Sequence, residues 1–146
     1  MTHRQVGHWV TSLSLFEHAI KVDPNNYVAY NNAGIAYSDV GLIDKAFEEY
    51  QTAVKLRPKF TEGQFNLALA YALKGKEKEA IEHFCNVLNY GNSAKILAKT
   101  HNNVGAIMFK QNNYEEAQLH FVEAIRSLSD FIDPYNNLGV LLYTAR

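Results

Sequence analysis

The chain has 146 residues, 47% of them hydrophobic and 20% charged, a balance that suits one folded domain with a real core. Fourteen basic against fifteen acidic residues leave a net charge of −1, so the surface as a whole attracts neither nucleic acid nor an anionic membrane. A single cysteine, Cys85, excludes an internal disulfide framework, and no apolar run approaches the roughly 20 residues of a membrane span.

Apolar spacing predicts eight helices, taken here in chain order: 8–22, 26–40, 43–56, 60–74, 77–90, 95–111, 114–128 and 132–144. The first begins near Trp9 and ends before Asp23-Pro24, where proline suits a connector. In the second, Ala33, Tyr37 and Val40 step by four and three, and Gly41 is placed to end it in a left-handed conformation. Ala46, Tyr50 and Ala53 form the stripe of the third, closed by Arg57-Pro58. Gly75 ends the fourth helix as Gly41 ends the second, and Asn112 takes that place after the sixth.

These elements repeat. At a shift of 34, Phe16 maps to Tyr50 and then Phe84, Ser12 to Ala46 and Ala80, and Gly7 to Gly41 and Gly75. Gly34 maps to Ala68, Gly105 and Gly139, with one shift widened to 37. The three extra residues fall at Lys95-Ile96-Leu97 and nearly equal one helical turn. They predict a longer helix there rather than a loop.

The run Tyr30, Ala33-Gly34, Tyr37, Gly41, Ala46, Tyr50, Ala53, Pro58 resembles the tetratricopeptide repeat (TPR), with Ala33 where leucine is usual. Leu67-Ala68, Tyr71, Gly75, Ala80 and Phe84 repeat it, as do Val104-Gly105, Tyr114, Ala117, Phe121 and Ala124. The resemblance implies an all-α, right-handed superhelical TPR solenoid of about eight antiparallel helices. One domain, 1–146, then contains a half-unit 1–26, full units 27–60, 61–94 and 98–131, and a half-unit 132–146. Most signature residues are structural: small ones let helix backbones approach, and aromatics fill the wedge between pairs.

The two half-units leave two readings open. Either the chain is a segment of a longer protein, or its last helix packs on the first helix of another copy. Gln5 to Ser12, with Leu15-Phe16-Glu17-His18-Ala19 and Asn25-Asn26-Tyr27-Val28-Ala29, also looks like the start of C-terminal repeat regions in membrane glycosyltransferases related to protein O-mannosyltransferases.

The candidate binding wall comes from first helices. Asparagine recurs at one place in every unit, at Asn32, Asn66, Asn103 and Asn137. Its predecessor is Asn31, Asn102 or Asn136, with Phe65 the exception. An amide offers a donor and an acceptor, so a row of them satisfies the backbone of a bound extended chain whatever its side chains. The row resembles the asparagine ladder of O-linked N-acetylglucosamine transferase. Leu69, Lys99, Phe109 and Tyr143 complete the proposed contact set, within a wall that also carries Val28, Ile35, Ser38, Asp39, Glu62, Ala72, Leu73, Ala106, Lys110, Asp133, Val140 and Thr144. The places matching the basic carboxylate clamp of chaperone-binding relatives hold Asn31, Ile35, Asn66, Lys99 and Asn103, of which Asn66 and Lys99 alone fit.

Catalysis finds no foothold. No catalytic, cofactor-binding or metal-ligating residue is expected, because no HExxH, Cys/His or phosphate-loop spacing occurs. The six histidines read as scattered, with His83 and His120 on outward positions, and Cys85 reads as a partly buried small side chain. Glu48-Glu49 and Glu115-Glu116 are assigned to solvated faces.

The expected function is therefore a protein-protein interaction module that holds a peptide segment, with no cofactor, no nucleic acid and no membrane insertion of this segment. Two alternatives stand beside it. One is a scaffold that self-assembles head to tail; the other is an accessory substrate-binding domain of a membrane glycosyltransferase. The compartment is left open.

Overall fold

Eight α-helices account for the secondary structure of the described residues: α1 (His3–Val22), α2 (Tyr27–Asp39), α3 (Ile43–Leu56), α4 (Thr61–Leu73), α5 (Glu77–Tyr90), α6 (Ala94–Lys110), α7 (Tyr114–Ser127) and α8 (Ile132–Thr144). The structure is a computed structural model that describes residues 3–145, with side chains from Ser12 onward. Met1, Thr2 and Arg146, at the outer ends of the two expected half-units, lie outside the described residues, as do the side chains of 3–11.

Helix ends follow local chemistry. The Asn26 side chain accepts from the Ala29 amide at 3.0 Å and caps α2. Gly41 and Gly75 adopt φ +79° and +71°, and Asn112 adopts φ 61° in the equivalent place. After each, an amide reaches back five residues: Leu42 to the Tyr37 carbonyl, Lys76 to Tyr71 and Asn113 to Met108, at 2.9, 3.0 and 2.9 Å. Gly7, in the same register, is instead helical, so α1 starts at His3 rather than near 8. Glycine permits the left-handed turn but does not impose it. The extra turn is present too, since α6 runs 17 residues where α2, α4 and α8 run 13.

The helices fall into two compact units, 1–80 and 81–146. Within the first, α3 packs between α2 and α4; within the second, α7 packs between α6 and α8. The core of the first unit gathers Ala46, Tyr50, Leu67 and Ala70, flanked by Tyr37 and Tyr71. That of the second gathers Ala117, Phe121 and Leu141, flanked by Met108 and Leu138. Apart from Tyr71, whose counterpart Leu142 is exposed, these are the same repeat positions occupied twice. In each unit an aromatic lies over a glycine that has no room for a side chain: a Cβ on Gly34 would stand 2.6 Å from Tyr50, and one on Gly105 2.7 Å from Phe121. Such closeness is what makes those two positions small.

Candidate functional site

In the first unit α2, α3 and α4 enclose a cleft of about 230 Å³. Its floor is Ala46, Tyr50 and Ala70; its sides include Ile35, Ser38, Asp39, Asn66, Leu69 and Leu73. All six side residues belong to the wall expected from the sequence. Burial pushes the Tyr50 phenol up to about 12, with a hydrogen bond to Ser38 working against it. The floor therefore stays uncharged at any physiological pH. Asp39 sets a negative charge at the rim, beside the exposed apolar side chains of Ile35 and Leu73.

The asparagines are more tightly engaged than a free row. Asn66 Nδ2 donates to Asn31 Oδ1 at 2.9 Å, bridging α4 and α2. Asn137 Nδ2 donates to Asn102 Oδ1, also at 2.9 Å, bridging α8 and α6. Asn31 is only 4% exposed. These amides first fix the register between successive first helices. Replacing Asn66 by alanine leaves the buried Asn31 oxygen without this donor, so that substitution should cost folding stability. Asn103 Nδ2 turns back to the Lys99 carbonyl at 2.7 Å, within its own helix.

The remaining expected contacts divide. Asn32 and Phe65 are half-buried, Lys99 and Asn136 exposed, and Tyr143 stands 80% exposed. Phe109 turns inward against the Ala117, Phe121 and Leu141 core, its ring 5.6 Å from that of Tyr114. Phe109 and Tyr114 hold the places that Ser38 and Ile43 hold in the first unit. Two rings thus stand where the first unit has a cleft.

Four side chains depart from their expected settings. Cys85 is exposed rather than partly buried. It follows Phe84 and so lies about 100° round α5 from the buried Ala80, Phe84 and Val87 stripe. Glu49 is half-buried rather than solvated, and its carboxyl is pushed up by burial, then by Glu48 and Glu17. His83 and His120 are half-buried rather than outward.

His120 also has a partner that the scattered sequence positions concealed: its Nδ1 lies 3.0 Å from His101 Nδ1. The repeat carried the signal. His101 lies four residues before Gly105 and His120 one before Phe121, so the glycine–aromatic contact brings the two rings together. Burial pulls the basicity of both down, reinforced for His101 by His120; Glu123 opposes it for both and Glu116 for His120. One ring must donate and the other accept, so the doubly protonated pair cannot keep the bond.

Because the folded values lie below 6.5, the unfolded chain takes up protons first as pH falls. The stabilisation is fully present above 6.5 and is lost as pH drops through and below it. Urea midpoints at pH 7.5 and 5.5 should therefore differ in the native chain, and differ less in His120→Gln. An unchanged difference in that variant removes the pair as the cause.

Comparison with known proteins places these features. Residues 15–48 and 61–90 each match a model of the tetratricopeptide repeat. Over 114 residues the chain is 25% identical to the peroxisomal targeting signal receptor of Saccharomyces cerevisiae, matching 78% of this chain and 18% of that protein. It is 27% identical to Protein O-mannosyl-transferase Tmtc3 of Drosophila melanogaster over 97% of this chain and 16% of that one. The chain thus spans less than a fifth of either relative. The crystal structure of MamA shares its fold, with TM-score 0.83 at 20% identity, over 97% of this chain and 81% of that one. No described helix is long and apolar enough to cross a membrane.

Proposed function

Since this chain belongs to the tetratricopeptide repeat family, we propose that it is a protein-interaction module whose first unit holds an extended segment of a partner in the α2–α4 cleft. The observation that carries this reading is the meeting of apolar rims, Ile35, Leu69 and Leu73, with an amide held in place from behind by Asn31. An apolar side chain of the partner fills the cleft over Tyr50. Beside it, Asn66 meets a backbone peptide group, and the Asp39 carboxylate favours a basic neighbour. The peroxisomal targeting signal receptor is by its name a receptor for a signal, which accords with a role in recognising chain segments.

A display library of random dodecapeptides panned against the folded chain tests this. Leu73 is 72% exposed and Ile35 39%, so Leu73→Lys and Ile35→Lys leave the unfolding curve nearly unchanged. Selected peptides should carry an apolar residue next to a basic one and lose at least about tenfold in affinity for both variants, which corresponds to roughly 1.4 kcal/mol. Equal binding by both variants overturns the cleft as the site.

The near-complete match to Tmtc3 favours a second reading, that of an accessory repeat region in a protein of that kind. This requires membrane-spanning helices encoded upstream of Met1 in the same gene. An upstream coding region without them would exclude it.

A further inference from the structure

The histidine pair of the second unit is built to do more than share a proton. His101 comes from α6 and His120 from α7, both are half-buried, and their Nδ1 atoms stand 3.0 Å apart. Two imidazole nitrogens at that separation, each about 2.05 Å from one ion, subtend about 94° at it. This is close to the right angle between neighbouring ligands of a square-planar ion and well short of the tetrahedral angle. The rings now face each other with centroids 5.2 Å apart and planes inclined at 40°. Turning both onto one ion closes the centroids to about 4.7 Å, which small side-chain rotations of two partly solvated rings supply.

Protonation and charge suit an ion as well. A metal takes neutral imidazole, and burial pulls the basicity of both rings down. Moving the shared proton from Nδ1 of the donor ring to its Nε2 bares both Nδ1 lone pairs, with no net loss of protons. On α7, Glu116 stands four residues before His120 and Glu123 three after it. Both act on His120 by their charge, and Glu123 on His101 too. Arg126 offsets part of that field by pairing with Glu123 at 2.5 Å. Among the described residues no third His, Cys, Asp or Glu stands close enough to join the pair, so water fills the remaining positions. Spacing along the chain gives no sign of such a site, because its ligands come from two helices rather than from one motif. The corresponding positions of the first unit hold Tyr30 and Glu49, so the pair is not repeated there.

We propose that His101 and His120 together bind one divalent late transition-metal ion, of the nickel(II) or copper(II) class, through their Nδ1 atoms. The site lies in the second unit and does not rest on the cleft reading.

The test is urea unfolding at pH 7.5 in nickel(II) chloride, from none to about 1 mM. Nickel is the probe because copper(II) would oxidise the exposed Cys85. The two ligands are held together only in the folded chain, so the ion stabilises that state. The native midpoint should rise by on the order of 0.5–1 M urea at the highest nickel concentration and fall back on adding EDTA. His101→Gln and His120→Gln each leave an amide that can still bond to the remaining ring, and each should lose most of the shift. His83→Gln and Cys85→Ser should keep it. A native midpoint that does not respond to nickel overturns the proposal whatever the variants do. A shift that survives in His101→Gln or in His120→Gln overturns it too.

Discussion

Replacing Phe121 by alanine is expected to lower stability by about 3–5 kcal/mol, the range for a fully buried aromatic. The ring is 1% exposed and packs in the Ala117 and Leu141 cluster, with Met108, Phe109 and Leu138 against it. Its removal leaves a cavity that two rigid helices cannot close. Urea unfolding followed by circular dichroism measures the loss. The informative comparison is with Gly105→Ala. In the native background the new methyl meets Phe121 carbons at 2.7 and 2.8 Å, and the Ala117 carbonyl at 3.2 Å. Overpacking of this kind costs about 1–3 kcal/mol, more than offsetting the gain of about 1 kcal/mol from alanine in a helix. In the Phe121→Ala background the ring is gone and the same methyl should stabilise. A coupling of about 1–3 kcal/mol between the two sites follows. If Gly105→Ala has the same effect in both backgrounds, the ring does not enforce the glycine.

That contact also explains what could be read from the chain beforehand. Helix number, the left-handed residues at Gly41, Gly75 and Asn112, and the added turn in α6 each follow from local rules and a fixed repeat, so the sequence carries them directly. The inward turn of Phe109 depends on Tyr114, a residue five positions away on the next helix, and no periodicity within α6 encodes it. The asparagine row was visible as a pattern, but its meaning was not: a column of amides at constant register looks the same whether the amides face a ligand or each other. The 35-residue offset from Asn31 to Asn66, one more than the repeat, is the detail that separates the two, because it joins neighbouring positions on successive first helices. The cleft itself arises from a difference between units. Small Ser38 stands where the second unit has Phe109, and a reading built on what the repeats share passes over such differences.

The asparagine pairs should prove unequal. Asn66→Ala is expected to cost about 1–3 kcal/mol, since it strips the donor from an Asn31 oxygen held at 4% exposure. Asn137→Ala does the same to Asn102, but Asn102 is half-buried and water can replace the lost partner, so a loss below about 1 kcal/mol is expected there. Asn31→Ala removes the other half of the first pair. Its combination with Asn66→Ala should cost less than the two single losses together, because one hydrogen bond is removed once. Full additivity would mean that the amides act independently and that the α2–α4 bridge contributes nothing. The same variant bears on binding. Asn31 is absent from the cleft lining, yet its bond to Asn66 sets how α4 sits against α2 and therefore the spacing between Ile35 and Leu69. A peptide held in the cleft should bind Asn31→Ala more weakly even at low temperature, where the variant is fully folded. Leu73→Lys, by contrast, weakens binding with stability intact, and the two signatures together distinguish a residue that shapes the site from one that touches its occupant.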